Sequence, residues 1–351
     1  MTGGTFSSEA SGFSICQNSS ENYDSTCAVT VDGPDALLSI GSGTSGMSMS
    51  GQTNGIAVLN LNAGVMQAPA VVRHGSYPGA SACVNFNGGT FKAAKDNTYF
   101  TSGIAIKVGP GGGTFDTDGH DATINENIEA LSGNGVADIL WTSYATNTFP
   151  VPPAIRIDGD GIGATAVALY DVATKKVTGL RITSPGSGYT WATAKIWYGS
   201  SSLDFQHKTR FEWTADCVLA ANDATGGFTK AGAGTLTLSG SNTYTGDTVV
   251  AEGTLRLGSA GALPSASTLV VKGGTVEAAN GVPFPYRITF GVPAEELDEN
   301  RIYVLANFPN GRPATLPEVV GLDSLPPGWE LSFDNNQLRL YYARGTIIIF
   351  R

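Results

Sequence analysis

Charge is scarce in this sequence, and the charge that is present is mostly acidic. Asp, Glu, Lys and Arg make up 14% of the residues, where about 25% is usual. The 30 acidic and 20 basic residues give a net charge of -10, which argues against binding to a nucleic-acid backbone. No apolar run approaches the ~18 residues that a membrane-spanning helix needs. We therefore expect neither a nucleic-acid partner nor a transmembrane segment.

Histidine and cysteine, which carry much of enzyme chemistry, are also rare. The three histidines, His74, His120 and His207, lie far apart, and no Gly-x-Ser-x-Gly motif accompanies them. Nothing therefore indicates a Ser/His/Asp hydrolase. The four cysteines form no CxxC pair and no Cys/His metal spacing. We predict no catalytic residues.

Cysteine spacing leaves the redox state open. Cys16 and Cys27 flank a polar stretch and could close it as a disulfide in an oxidising compartment, or remain two separate thiols. Cys83 and Cys217 lie beside valines in strand-like runs, so we expect both to be buried free thiols. The first residues lack the basic start and apolar run of a signal peptide, so we expect a sequence that begins after processing or with an added Met.

Glycine, by contrast, is abundant. It accounts for 46 of the 351 residues, against a usual share of about 7%, and it shows no three-residue period, which excludes collagen. Hydrophobic residues make up 41%, too many for wholesale disorder. This composition is not that of a helical bundle, and it favours a β protein with many turns.

The first half of the chain repeats itself. The segment VLNLNAGVMQA at 58–68 aligns without gaps with CVNFNGGTFKA at 83–93, and a third copy begins as GGTFD at 112–116. Asn60 and Asn85 occupy the same place in the first two copies, and the large apolar positions are kept. The steps between copies are 25 and 24 residues.

The second half repeats at a shorter step. GTLTL at 234–238 recurs as GTLRL at 253–257 and as GTVEA at 274–278, with steps of 19 and 21 residues. Between these copies, TVV at 248–250 recurs as LVV at 269–271. Each unit reads as strand, loop, strand and glycine turn, with apolar and polar residues alternating along the strands.

These steps and glycine corners predict the coils of a solenoid. One coil cannot bury its apolar face alone, so successive coils stack and share a continuous core. We therefore predict an all-β, right-handed parallel β-helix with an inserted small β-module and a C-terminal β cap. An antiparallel sandwich or barrel is the competing fold, because it also has short strands and glycine turns.

A long motif carries a family resemblance. The run GGFTKAGAGTLTLSG at 226–240, followed by NTYTG at 242–246 and GTL at 253–255, closely resembles the autotransporter-associated β-strand repeat, with Phe228 in place of the usual Leu. The resemblance implies a secreted or surface-exposed bacterial passenger that folds as a β-helix, at an extracellular or cell-surface location. It implies no catalytic residues.

Breaks in the repeat rhythm divide the chain into four parts. A cluster of prolines at 150–153 stops the ladder, and GATA at 163–166 with GSGYT at 186–190 resembles a small β-module inserted in bacterial extracellular proteins. Beyond Pro283 the strands lose the coil spacing. The predicted parts are solenoid coils at 1–147, the inserted module at 148–203, further coils with the repeat at 204–282 and a cap at 283–351.

The module carries four aromatic residues close together in sequence, namely Tyr189, Trp191, Trp197 and Tyr198. Exposed aromatic rings of this kind could stack on sugar rings and so bind host or matrix glycans. The alternative is that they pack the module onto the rod, since Tyr and Trp often bury the ring and keep one polar tip wet.

One acidic run suits a metal ion. Asp116 and Asp118 offer oxygen ligands at alternate positions, which suits calcium, but the run lacks the remaining ligands of an EF-hand loop. An Asp-Gly pair is also a plain turn signal. Calcium is the one cofactor that the sequence admits.

The last strand is a candidate for self-association. Ile347, Ile348, Ile349 and Phe350 form an apolar run, and an uncovered strand of this kind pairs readily with another chain. A homo-oligomer or filament would follow.

Together these features predict a non-catalytic extracellular structural or adhesion protein, a surface stalk or a matrix or filament component. One alternative is a carbohydrate-binding surface protein that uses the aromatic module. A second alternative is a β-helical polysaccharide lyase or hydrolase, for which we find no convincing stack of acids on adjacent coils.

Overall fold

The structure of the chain, a computed structural model, describes residues 2–8, 13–16, 26–43, 45–49, 53–73, 75, 77–101, 103–142, 146–198, 211–285 and 287–344. This part of the chain is almost entirely β-structure, with short 3-10 helices at Ala294–Glu296 and Leu322–Ser324. It holds no helix with the length and hydropathy needed to cross a membrane.

Parallel strands stack into the long sheets of a rod. Sheet one contains, in spatial order, β1 (Thr5–Ser8), β4 (Leu37–Ile40), β7 (Val65–Ala68), β10 (Thr90–Ala93), β13 (Gly113–Asp116), β22 (Phe228–Ala231), β24 (Thr248–Val250), β26 (Leu269–Val271), β28 (Arg287–Phe290) and β30 (Glu318–Val320). Sheet two contains β11 (Asn97–Tyr99), β14 (Ala122–Ile124), β23 (Thr235–Leu238), β25 (Thr254–Leu257), β27 (Thr275–Ala278), β29 (Tyr303–Asn307), β32 (Gln337–Tyr342) and β31 (Trp329–Asp334).

Two smaller sheets complete the early coils. Sheet three contains β3 (Thr26–Val31), β6 (Ile56–Leu61), β9 (Ser81–Phe86), β12 (Ile104–Val108) and β15 (Ile128–Ala130), and sheet four contains β2 (Phe13–Ile15), β5 (Met47–Met49) and β8 (Val71–Arg73). The chain visits sheet one, then sheet four or two, then sheet three in each of the first five coils. Later coils use sheets one and two.

Residues at equivalent places in the sequence repeats lie opposite each other in the strand ladders. Asn60 lies opposite Asn85 in the β6–β9 ladder, and Thr235 pairs with Thr254, which pairs in turn with Thr275. All of these ladders are parallel. The prediction of a parallel β-helix is therefore confirmed, and the antiparallel sandwich is wrong for the rod. The right-handed sense of the coil stays a prediction.

A continuous apolar core fills the rod. Inward residues of neighbouring coils stack on one another, as in the ladder of Leu236, Leu255 and Val276, all of which are fully buried. Phe91 and Phe115 stack with ring centroids 5.4 Å apart. No coil could bury these side chains alone, because each supplies only one layer of the core.

Glycine is required at the corners where coils approach closely. Gly64 and Gly253 both have positive φ angles, of 69° and 66°. A Cβ at either position would lie 2.5 Å from carbonyl oxygens of the preceding coil. The repeat therefore keeps glycine here because any side chain would collide with backbone as well as strain it.

A large insertion interrupts the stack between the fifth and sixth coils. β13 pairs directly with β22, although more than a hundred residues separate them. The intervening strands are β16 (Asn134–Ile139), β17 (Ala154–Gly159), β18 (Ile162–Asp171), β19 (Lys176–Ser187), β20 (Ala192–Tyr198) and β21 (Phe211–Ala221). They form a four-stranded antiparallel sheet and a two-stranded hairpin, and we call β16–β21 the outgrowth.

The outgrowth includes more of the chain than residues 148–203, the range expected from the prolines. β16 pairs with β21 along its length, and Trp141 and Trp213 lie in the separate core of the outgrowth. The prolines at 150–153 mark a connection between two strands of this body, because they break a ladder wherever they occur. They do not mark its entry.

The C-terminal end of the rod is closed by an antiparallel hairpin. β28, β29 and β30 still pair in parallel with earlier coils. Among the described strands of the predicted cap at 283–351, only β31 and β32 therefore depart from the solenoid. Trp329 and Phe333 of this hairpin pack on Tyr303 and Phe308 of the rod. The hairpin covers apolar rings that the last coil would otherwise expose.

The cysteines adopt two states. Cys16 and Cys27 form a disulfide with Cα atoms 5.4 Å apart, while Cys83 and Cys217 are free. Cys83 is buried beneath the outgrowth, and its burial raises the pKa of the thiol to about 12.

We predict that alkylation of the unreduced, denatured protein modifies two cysteines, and that prior reduction raises this number to four. In the native protein Cys83 should react slowest, because it is buried and its thiolate is scarce. Intact-mass and peptide mass spectrometry measure both. Four modified cysteines without reductant would contradict the disulfide.

Candidate functional site

The outgrowth is seated on the outer face of sheet three. In β6, Ala57, Leu59 and Leu61 point into the rod core, while the alternate residues Val58 and Asn60 point outward. The outward residues are nevertheless fully buried. Strands β6 and β9 are thus covered on both faces, as strands inside a layered protein are.

A buried network of polar side chains joins the two bodies. Asn85 Nδ2 donates to Asn60 Oδ1, Ser184 Oγ and the Gly163 carbonyl at 2.9, 3.0 and 3.0 Å. Asn60 Nδ2 donates to Thr165 Oγ1 at 2.8 Å. Both asparagines are at most 4% exposed. We call these five residues the junction. Their hydrogen bonds offset the cost of burying polar groups.

Further contacts fix the outgrowth at the edges of the junction. Asn62 Nδ2 donates to the Thr183 carbonyl at 2.8 Å, and Arg181 forms an ion pair with Asp32 of the rod. The outgrowth is therefore held against the rod by directional bonds, which specify one docked orientation.

The predicted aromatic residues whose side chains the structure describes differ in burial. Tyr189 is 4% exposed, accepts a hydrogen bond from the Ala164 amide at 3.3 Å and has its pKa raised to about 12 by burial. Trp191, by contrast, is 53% exposed. Trp197 is half-buried, and the side chain of Tyr198 lies outside the described part of the structure. Tyr189 thus packs in the core of the outgrowth. The exposed Trp191 remains the candidate for contact with a sugar ring.

Trp197 lies on the charged face of the outgrowth sheet. Its strand neighbour Ile196 is buried in the outgrowth core, so Trp197 and Lys195 share the opposite face. There Asp158 accepts hydrogen bonds from Arg156 and from Lys195, the latter at 2.9 Å. Burial acts to raise the pKa of Asp158, but these bonds lower it below its ordinary value.

The acidic corner proposed for calcium is already occupied by protein groups. Asp118 pairs with Lys92 at 3.0 Å, and Asp116 Oδ1 accepts the Asp118 amide at 2.8 Å. His120 contacts Asp96 at 3.2 Å. Among the described residues, no three His, Cys, Asp or Glu side chains are placed to hold one metal ion. Calcium binding here stays a prediction.

Two groups of predicted residues fall elsewhere. Ile347, Ile348, Ile349 and Phe350 lie outside the described residues, as do His74 and His207. The self-association strand therefore stays a prediction.

One buried ion was missed by the sequence reasoning. Lys230 occupies an inward position of β22, in register between the core residues Phe115 and Val250, and it is fully buried. The alternation in FTKA at 228–231 placed it on the same face as Phe228, so period two alone could have identified it.

The Lys230 ammonium is surrounded by oxygen atoms at a coil corner. Its Nζ donates to Thr117 Oγ1 at 3.0 Å and to the carbonyls of Ala231, Gly232 and Glu252 at 2.8, 2.5 and 3.0 Å. Burial lowers the pKa of Lys230 from 10.5 to about 8, although the nearby charges of Asp116 and Glu252 oppose this shift. The ammonium thus ties three successive coils together.

A family model described as the passenger-associated-transport-repeat matches residues 228–257. These residues are the two coils that run from β22 to β25, including Lys230. The match confirms the resemblance to the autotransporter-associated repeat. No curated protein and no solved structure matches the chain.

We predict that Asn85→Ala lowers the free energy of unfolding by about 1–3 kcal/mol, because it removes a donor on which three buried acceptors depend. Urea denaturation measures the loss. The exposed turn residue Asn310 supplies the control, since Asn310→Ala should change stability by no more than about 0.5 kcal/mol. Equal effects of the two substitutions would contradict the role of the junction.

Stability should depend on pH through Lys230. Between about pH 8 and pH 10.5 the unfolded chain still binds a proton that the folded chain has released, so raising the pH through this window stabilises the folded state. We predict that the stability difference between the native protein and Lys230→Met grows in favour of the native protein from about pH 8 to about pH 9. Thiol and tyrosine titrations are common to both proteins and cancel in this difference.

Urea denaturation of the two proteins at several pH values checks this prediction. Below about pH 7 the difference should be flat, since Lys230 is then protonated in both states. A stability difference that is the same at every pH would show that folding does not lower the pKa of Lys230.

Proposed function

We propose that this chain, which carries a passenger-associated transport repeat, is a non-catalytic segment of an extracellular passenger protein that forms a rod and displays the outgrowth at a cell surface or in a matrix. The observation that carries the proposal is the unbroken parallel ladder of sheet one, which runs from β1 to β30 past the insertion. A rod of this kind holds a lateral domain at a fixed place.

The docking of the outgrowth supports a role in display. Its antiparallel sheet has its own core, yet it is bonded to the rod through Asn60 and Asn85. A flexible tether would need no such network. The rigid seat presents the exposed face of the outgrowth in one orientation, which suits adhesion to a surface.

The charged residues of the rod support a non-catalytic role. Some acidic side chains there are paired with cations, as Glu129 is with Lys107 at 2.5 Å and Asp118 is with Lys92. Most glycoside hydrolases use two carboxyl groups that act on one bond, and these two carboxylates are held by lysines instead. We therefore expect no release of reducing ends or unsaturated uronides from plant or mucin polysaccharides, and release of either product would contradict the proposal.

Carbohydrate contact through the outgrowth is the second candidate function, and the exposure of Trp191 favours it. An exposed indole offers a face on which a sugar ring can stack. We predict that Trp191→Ala weakens glycan binding, measured on an array of host and matrix glycans, about tenfold or more.

Val172→Ala is the matched control, because Val172 is an exposed apolar residue of the same outgrowth and its loss should leave binding unchanged. Trp197→Ala is a second comparison, since Trp197 is only half-buried on the opposite side of its strand from the core. Binding that survives the loss of both tryptophans would exclude the aromatic contact.

Self-association is part of the same proposal, as a route to a filament or matrix. Light scattering after size exclusion, over a concentration series, tests it. A mass that rises with concentration and returns to the monomer value on deletion of residues 346–351 would support pairing through the apolar C-terminal run, whereas a constant monomer mass would exclude it.

A further inference from the structure

A cleft opens beside the junction, where the outgrowth meets the rod. It has a volume of about 180 Å³. Its walls come from four coils of the rod, from the β19 segment of the outgrowth and from the chain that leaves β21. Its polar lining includes Asn62, Asn87, Ser184, Asn222 and Asp223.

Each of the three asparagines uses only one end of its amide in the fold. Asn62 Nδ2 donates to the Thr183 carbonyl, Asn222 Nδ2 donates to the Gly186 carbonyl and Asn87 Oδ1 accepts the Gly111 amide, at 2.8, 2.8 and 2.9 Å. The other ends are Asn62 Oδ1, Asn222 Oδ1 and Asn87 Nδ2, and they make no hydrogen bond to a described residue. None of these three atoms is both buried and unpaired. Two acceptor oxygens, those of Asn62 and Asn222, and one donor, Asn87 Nδ2, are therefore left unused by the fold on residues that line the cleft.

Ser184 and Asp223 add to this set. Ser184 Oγ accepts hydrogen bonds from Asn85 Nδ2 and from the Gly186 amide, so its hydroxyl proton remains to be donated. Asp223 lies at the rim, where hydrogen bonds from Thr225 lower its pKa and keep it ionised. Pro110 and Pro185 supply apolar walls between these polar groups.

We propose that this cleft binds one neutral sugar unit of a glycan. Sugar hydroxyls both donate and accept hydrogen bonds, and amide, hydroxyl and carboxylate groups in fixed positions match that pattern. None of the described residues that line the cleft is Lys or Arg, and Asp223 repels anions, so an acidic sugar is disfavoured. The volume suits a single ring rather than a folded partner.

The proposal goes beyond display of the outgrowth, because a rod could display that domain with the cleft empty. It also differs from contact through Trp191, which is not part of the lining. One bond has both roles: the hydrogen bond from Asn62 to the Thr183 carbonyl helps to seat the outgrowth and also orients an amide of the cleft.

Saturation-transfer NMR of the full chain with methyl glycosides of glucose, galactose, mannose and N-acetylglucosamine tests the proposal, with glucuronic acid as the acidic comparison. We expect transfer to at least one neutral glycoside and none to the glucuronate. Titration then gives the dissociation constant.

Asn87→Asp is the decisive variant, because it keeps an oxygen that accepts the Gly111 amide and replaces the amide donor with a carboxylate oxygen that cannot donate. We expect it to weaken binding about three- to tenfold, the usual range for one lost hydrogen bond, and Trp191→Ala to leave binding unchanged.

Three results would overturn the proposal: no transfer to any neutral glycoside, equal binding of the glucuronate, or loss of binding in Trp191→Ala but not in Asn87→Asp. A negative result here leaves the display role standing, since that role is tested by product release, array binding and oligomeric state.

Discussion

The parallel hydrogen-bond ladder between successive coils is the interaction on which the rest of the structure depends. Each coil supplies one layer of apolar side chains and leaves its backbone amides to be paired by the coil above and the coil below. Because the ladder is in register, equivalent residues stack, and the stack of Leu236, Leu255 and Val276 is the result. Corner glycines such as Gly253 follow from the same constraint, since coils one strand spacing apart leave no room for a Cβ.

Polar groups inside this framework carry its specificity. Lys230 replaces an apolar core residue and binds oxygen atoms of three coils, while Asn60 and Asn85 bind the outgrowth. Buried polar groups stabilise a fold only when all their partners are present. They therefore penalise a shifted register or a detached outgrowth more heavily than an apolar contact would. The rod and its lateral domain behave as one body because these networks have a single satisfied arrangement.

This rigidity links the architecture to the proposed roles. A display domain on a flexible tether would have no defined cleft between itself and the stalk, because the walls of such a cleft come from both bodies. Here the same hydrogen bonds that seat the outgrowth set the distance between Asn87 of the rod and Asn222 of the outgrowth. Binding in the cleft would be separate from contact through exposed Trp191, which does not line the cleft.

Sequence by itself determined the solenoid and its register, because a parallel stack repeats its environment at each coil and so repeats its residues. Asn60 aligns with Asn85, and Thr235 with Thr254, as identical residues of successive sequence repeats, and both pairs are partners in the ladder. Only the tertiary structure decided what covers the rod. The pairing of β16 with β21 widened the outgrowth beyond its prolines, and packing within the outgrowth buried Tyr189 while leaving Trp191 exposed. Contacts between distant segments without repeats leave no period in the sequence, so the burial of Asn85 and the cleft beside it could not be predicted.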